Sequence, residues 1–503
     1  MKKRYLFYSL IMATGFSVTA CHKQLETAPT NAVPEELLFK NVTTLNSILE
    51  GSWASMMDEY YGGVYANPGF KAIGLTSDAM GNDVAINTSK YAFNLTYPFS
   101  QMNDKTQSRV NAFWTQLYKL INNMNIILAH VDAVPGDAAA KKALKGQALA
   151  LRAHLYTTLA SFYQFSYLKD PQAKVVPLYT TPSADTTKGR SRATLQELYT
   201  LVIGDLTEAV TLLDGYSRTA KYKIDKDVAN GLLARACLFT GQWQKAADAA
   251  GEILNNYSLM AAADYGKGFN DITNKEWVWG HPEIPSQNVG SDAFHFLDVS
   301  SASSGYYSFN ADPYFMELFE EGDIRKTLFQ WNGQTGREGY LLYKKFLFRQ
   351  DQTGDLVLMR SAEAYLIKAE GLARNNQLTD AAAALNQLRA ARNAQPFDES
   401  TGTQQSLIDA ILVERRKELW GEGFSLSDII RNQLPVVRKA YVDADGKAIQ
   451  VSVIASDGST KTVAAKGHTS LKFPDGTSFV ANSPYYLFAI PLTEEQNNPN
   501  LYK

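Results

Sequence analysis

Carboxylates recur along this chain at spacings that invite a catalytic reading. Glu414 and Glu418 stand four residues apart, and Glu422 and Asp428 follow. Two carboxyl groups held ~5–5.5 Å apart could split a glycosidic bond, one as acid and one as nucleophile. Positions i and i+4 beside Arg415 and Arg416, however, also make a salt-bridged helix, and that structural reading is preferred here. Arg360, Glu363 and Glu370 are read in the same way. The six histidines, His22, His130, His154, His281, His295 and His468, form no HExxH or other ligand spacing. Gly266-Lys267-Gly268 lacks the third glycine of a dinucleotide loop, and no GxSxG elbow occurs. The sequence thus nominates no catalytic residue, no metal site and no cofactor.

The chain that must position these residues has 503 of them. Hydrophobic residues make up 45% and charged residues 20%, the balance of a globular protein. Mean hydropathy is -0.24, and no apolar run after residue 20 approaches the ~20 residues of a spanning helix. The formal charge of -2 gives no basic excess for nucleic acid. Two cysteines, Cys21 and Cys237, cannot make a disulfide framework. Cys237 lies in an apolar helical stretch and is expected to be a buried small hydrophobe.

The first residues read as an address. Met1-Lys2-Lys3-Arg4 is a positive start, Tyr5 to Phe16 an apolar stretch, and Ser17-Val18-Thr19-Ala20-Cys21 a small-residue cleavage region. Val18-Thr19-Ala20-Cys21 resembles a bacterial lipobox, in which the cysteine is acylated. The expected layout is a lipoprotein signal peptide over 1–20, a lipidated tether over 21–34, and one folded unit over 35–503.

Helical period dominates that unit. Trp114, Leu117, Leu120, Ile121, Met124 and Ile127 mark one amphipathic helix; Ala148, Leu151, Leu155, Leu159 and Phe162 mark another. Thr194 and Glu197 form a capping box. Residues 229–254 and 362–388 resemble each other as helix–turn–helix units with small residues at the crossings. Their first helices align at an offset of about 133 and their second at about 135, which would make the later turn two residues longer. The helix pairs fall around 110–255 and 360–431. Three excursions interrupt the period, at 67–108, 264–350 and 441–482. The last carries hairpin signals at Asp445-Gly446, Asp457-Gly458 and Asp475-Gly476. The expected fold is mostly α: a tetratricopeptide-like helical repeat scaffold with long irregular loops and a few short β-hairpins.

Ordered motifs along the chain resemble the SusD/RagB family of Bacteroidetes nutrient-binding lipoproteins. They are Leu151-Arg152-Ala153 with Tyr156, Leu159 and Val176-Pro177-Leu178; Arg192-Ala193-Thr194 with Glu197-Leu198-Tyr199 and Asp205-Leu206; and Arg360-Ser361-Ala362-Glu363-Ala364-Tyr365-Leu366 with Ala369-Glu370, Leu385-Asn386, Arg389 and Arg392. Glu414-Arg415-Arg416, Glu418-Leu419, Glu422-Gly423, Asp428, Ile490-Pro491 and Asn498-Pro499 complete the set. The chain departs from the pattern at Phe424-Ser425-Leu426-Ser427. It also carries only one acid, Glu26, in the stretch just after Cys21.

The resemblance implies a non-enzymatic outer-membrane lipoprotein facing the cell exterior. It would carry palmitate-type acylation on Cys21 and touch the membrane only through that anchor. It would capture an oligosaccharide, or alternatively a peptide, and deliver it to a SusC-like TonB-dependent transporter, with no nucleic-acid partner. A helical glycoside hydrolase and a purely protein-binding repeat scaffold are the rival readings. In such proteins the glycan site lies in loops outside the repeats. Flat aromatics bury the apolar face of a sugar while polar neighbours bond its hydroxyls, and 12% of this chain is aromatic. The nominated ligand residues are Asp78, Asn82, Asp83, Tyr91 and Tyr97 from the first excursion, and Trp279, Tyr306, Tyr307, Phe309 and Trp331 from the second. Tyr306-Tyr307 leads, because Ser303-Ser304-Gly305 and Ser308 leave room around the rings. Asp-rich loops also leave calcium open.

Overall fold

The computed structural model describes residues 39–58, 61–64, 67–89, 93–184, 186–285, 292–398, 400 and 402–503. The expected signal peptide, Cys21, the tether and Tyr91 lie outside them.

Helices form where the apolar stripes and caps place them. Helix α1 (Val42–Met56) opens on an Asn41–Thr44 capping box, and α2 (Lys71–Ala79) follows. The two long stripes become α3 (Ser108–His130) and α4 (Ala138–Tyr163), the latter capped by Asp137. Helix α5 (Leu195–Leu212) starts at the Thr194–Glu197 box, where two otherwise orphaned N–H groups find partners. Arg152 of α4 bonds Asp205 of α5 through two nitrogens, at 2.8 and 2.9 Å, and Asn125 of α3 through the third.

The helix–turn–helix repeat is present, with one correction. Its first copy is α6 (Lys226–Phe239) and α7 (Trp243–Leu254). After the short helices α8 (Ala262–Tyr265), α9 (Asp292–Leu297) and α10 (Pro313–Met316), the second copy is α11 (Ser361–Arg374) and α12 (Leu378–Ala391). Both turns have the same length. Gly241 (φ 74°) and Asn376 (φ 61°) occupy the same left-handed position in each, so backbone caps fix a register that apolar letters alone misjudge. The pairs pack on each other where Gly371 meets α7; a Cβ there would lie 2.6 Å from the Trp243 carbonyl. Cys237 is buried, as expected.

The excursions are more ordered than their composition suggests. Strand β1 (Val84–Ile86) pairs with β5 (Phe309–Ala311), and β7 (Leu341–Tyr343) bridges β5 to β6 (Phe329–Trp331), making an antiparallel sheet in the order β1-β5-β7-β6. Strands β2 (Lys174–Pro177) and β3 (Arg192–Thr194) pair, as do β4 (Trp277–His281) and β8 (Leu356–Arg360). All three Asp-Gly signals are turns with the glycine at positive φ. Asp457-Gly458 joins the true hairpin β9 (Gln450–Ile454) and β10 (Thr460–Ala464). Asp445-Gly446 closes an isolated bridge between Val442 and Ala448. Asp475-Gly476 turns without strands. One apolar core lies among α1–α7; a second, aromatic, lies inside the excursions; a third surrounds α11, α12 and helix α13 (Gln404–Leu419).

A buried ionic hub ties these parts together. Arg360, at the end of β8, bonds Glu276, Glu418 and Glu422. Arg392 bonds Glu276 and Glu418. Arg325 bonds Asp323 and Glu418 and lies 2.6 Å from Glu414. Lys417 reaches Glu320 and Asp323. Apart from Glu320 and Glu422, these side chains are wholly buried. The sequence expectation of a structural role holds, but the partners differ from the i, i+4 reading. Arg415 turns to Asp428 and Arg416 to Asp83, and Glu414 and Glu418 make their closest pairs across 25 residues or more, for example Glu414 with Arg389, whereas Glu370 does keep an i, i+4 partner in Arg374.

Helix α14 (Ser425–Arg431) follows α13. The segment 484–501, which contains α15 (Leu492–Asn497), then runs back over the first helices. Phe488 N donates to the Phe162 carbonyl, Ala489 N to Met102 and Leu492 N to Lys105. The Phe488 ring stacks on Phe162 at 4.9 Å. Among the described residues no helix is long and apolar enough to cross a membrane.

Candidate functional site

Three nominated residues belong to the core and not to a ligand surface. Tyr97, Trp279 and Phe309 are each 0% exposed. The Tyr97 hydroxyl meets His468 Nδ1 at 2.8 Å, and the Arg438 guanidinium lies 4.3 Å from its ring. Trp279 donates to the Tyr222 carbonyl and stands edge-on to Trp53 and His154. Phe309 packs against Phe93 and Phe296. Strand formation turns Trp279 and Phe309 inward, and the turn over 94–99 does so for Tyr97, which composition alone does not reveal.

Tyr306 and Tyr307 are half-buried. Helix α9 holds them. The His295 carbonyl accepts from the amides of both tyrosines and from Ser304 Oγ, and His295 Nδ1 accepts from Gly305 N. Tyr307 takes a left-handed φ of 35°. Each ring is backed on one side. Tyr306 lies parallel to Phe296 at 4.4 Å, and the Arg337 guanidinium sits 3.5 Å from the Tyr307 ring centre. Carbonyls of Val299 and Ser301 fix Arg337. Polar groups border the pair: Asn87 N donates to the Ser308 carbonyl, and the Asn87 side chain accepts from Tyr340. This is a pair of rings each fixed by a stacked partner, beside amide and hydroxyl groups.

Trp331, on the edge strand β6, is half-buried and pairs with Tyr441 at 6.1 Å, while Tyr314 stands edge-on to Tyr441 at 5.2 Å. Sequence reading missed Tyr314, Tyr441, His295 and Arg337. Tyr441 opens the third excursion, and that position was its one available signal.

Asp78, Asn82 and Asp83 do come together, but elsewhere. They line a groove of about 280 Å³ between the end of α2, helices α13 and α14, and residues 432–437. Its walls are largely apolar. Both oxygens of each inner carboxylate are engaged: Asp78 by the amides of Gly423 and Ser425, Asp83 by Arg416, and Asp428 by Arg415 and Arg431. Burial pushes Asp78 up to about 7 against the pull of Lys71 and the two amides. Beneath Asp83, Asp312 is likewise pushed up to about 7, by burial and then by the neighbouring Asp83 charge. Among the described residues no cluster of three or more His, Cys, Asp or Glu is arranged to hold a metal.

Known proteins share this fold. Residues 34–238 match a SusD-like family described as starch-binding and associating with the outer membrane, and residues 328–503 match the SusD family. A SusD-like carbohydrate binding protein from Bacteroides vulgatus is 42% identical, with a TM-score of 0.86 over 92% of this chain and 98% of that one. SusD-like protein P2 of Formosa agariphila is 22% identical over 83% of this chain and 88% of its own length. A laminarin binding SusD-like protein, 21% identical, shares the fold with a TM-score of 0.61 over 78% of this chain and 92% of its own.

Proposed function

The chain belongs to the SusD family, and we propose that it is a glycan-binding lipoprotein of the outer membrane that captures an oligosaccharide and passes it to a SusC-like TonB-dependent transporter. The observation that carries this reading is the Tyr306–Tyr307 platform. Two half-buried rings are each stacked on one face, by Phe296 and by Arg337, beside Asn87. A ring fixed in advance loses little conformational freedom when a sugar stacks on it. The 42% identical relative, described as carbohydrate binding, supports the ligand class. Capture needs no chemical step, so the protein acts as a binder and not as an enzyme. Cys21 carries the lipid, residues 21–34 form the tether, and residues 35–503 form the binding unit.

Calorimetry of the soluble form, residues 22–503, against plant, fungal and host oligosaccharides and mixed peptides tests the reading. One glycan class should bind, and Tyr307→Ala should weaken it about tenfold or more, as loss of a stacked ring does. Heat from peptides with none from glycans would transfer the protein to peptide capture. The transporter should co-purify from outer membranes, and Cys21→Ala should release the protein from them.

A further inference from the structure

The groove between α13 and α14 is unlike the tyrosine platform in both shape and chemistry. Its walls include Leu412, Val413, Trp420, Ile429, Leu434 and Val437. Leu434 and Val437 are 44% and 53% exposed at its rim. The Trp420 ring is buried and offers no face to a sugar. A groove of this size takes a ligand at the small end of the usual range.

Its polar groups are unevenly engaged. The acceptors of Asp78, Asp83 and Asp428 are all occupied, as described above. Several donors are not. Asn82 Oδ1 accepts from Val437 N, which turns Nδ2 away without a partner among the described residues. Arg416 uses Nε and Nη2 on Asp83, leaving Nη1 uncommitted on a side chain that is 36% exposed. Ser425 Oγ has no hydrogen bond among the described residues, and Arg415 Nη1 is buried and unpartnered. A buried unpaired donor is costly and favours any ligand that supplies an acceptor. Asp83 is paired with Arg416 and Asp428 lies between Arg415 and Arg431, while Asp409, also lining the groove, has no cation partner among the described residues. What remains above the apolar floor is these four uncommitted donors against one free acceptor, Oδ2 of the exposed Asp409, whose Oδ1 accepts from Gln405.

We propose that this groove is a second binding site, for a small ligand that carries a carboxylate on an apolar body. The carboxylate meets Arg416 Nη1 and Asn82 Nδ2, and the body lies along Leu412, Val413 and Val437. The source is a free apolar acid or the C-terminal residue of a short apolar peptide, which share this chemistry.

Calorimetry of residues 22–503 with 3-phenylpropionate, with its neutral alcohol 3-phenylpropanol, and with a tripeptide ending in phenylalanine, free or amidated, tests the assignment. The acid should bind at least tenfold more tightly than the alcohol, because hydrogen bonds to a charged group discriminate on that scale. Arg416→Gln should remove the preference and leave glycan binding unchanged. Val437→Asp, at a half-exposed position where folding is not at stake, should abolish binding of acid and alcohol alike. If only the phenylpropionate obeys these rules, the site takes free acids; if the free tripeptide binds more tightly and the amidated one does not, it reads peptide ends. Absence of acid binding at 10 mM, equal affinity for acid and alcohol, or indifference to Val437→Asp would each overturn the proposal.

Discussion

Two sets of buried carboxylates in this protein are sequestered alike and charged differently. Burial alone would push Glu418 upward, but Arg392, Arg360 and Arg325 outweigh it and hold the carboxyl well below its ordinary range. Glu370 is brought down to about 2 in the same way, chiefly by Arg431. Beneath the groove the balance reverses. Asp78 and Asp312 are both held up at about 7. Asp312 Oδ1 accepts no hydrogen bond, His468 Nε2 stands 3.8 Å away, and Asp83 adds repulsion. The difference is the number of guanidinium groups in contact. A buried acid stays ionised where cations surround it and takes up a proton where they do not.

The sharpest way to break this contrast is to remove the centre of the hub. Glu418→Ala leaves Arg360, Arg392 and Arg325 partly uncompensated in the interior. It should cost about 3–5 kcal/mol in denaturant unfolding, or prevent folding altogether. A loss under about 1 kcal/mol would mean that the hub is replaceable. Next comes the pH dependence. For Asp78 and Asp312 the folded value lies above the unfolded one. Their stabilising contribution is therefore complete below about pH 4 and is lost as pH rises through 7. Glu370 has the opposite sign, with a contribution present above its unfolded value and lost as pH falls toward 2. Asp312→Asn should flatten the decline between pH 5 and pH 8 by roughly 2 kcal/mol, read from unfolding midpoints. Identical slopes in the two proteins would show that Asp312 does not titrate there. The smallest effect sharpens the comparison from outside. Lys326 and Glu321 pair at 3.2 Å on the surface, at 39% and 96% exposure. Lys326→Ala should change stability by less than about 0.5 kcal/mol and be insensitive to salt beyond that.

Legibility in the sequence followed the range of the contacts. Local signals worked: the Thr194–Glu197 box, the two long stripes and the helix–turn–helix repeat lie where their spacing put them, and of the three Asp-Gly hairpin signals all are turns but only Asp457-Gly458 joins a hairpin. The repeat register slipped because it was fixed by apolar letters, whereas Gly241 and Asn376 fix it by backbone conformation. The motif residues Arg360, Glu414, Glu418 and Glu422 read correctly as structural, yet their partners lie tens of residues away and no period announces them. Loop aromatics were the least legible. Tyr306 and Phe309 sit three residues apart in the same excursion, and only pairing of Phe309 with Ile86 of β1 sends one ring inward while the other stays accessible. Asp78, Asn82 and Asp83 line one groove without Tyr97, and α13 and α14, more than three hundred residues further on, complete their surroundings.

The returning segment 484–501 has a consequence for synthesis. The cleft between α3 and α4 is closed by Phe488, whose amide and ring both meet Phe162 across more than three hundred intervening residues. Contacts of such separation form late. A chain emerging amino end first therefore presents its earliest helices with an open seam until almost all of it has been released. Its final twenty residues are thus the latch that closes the native state.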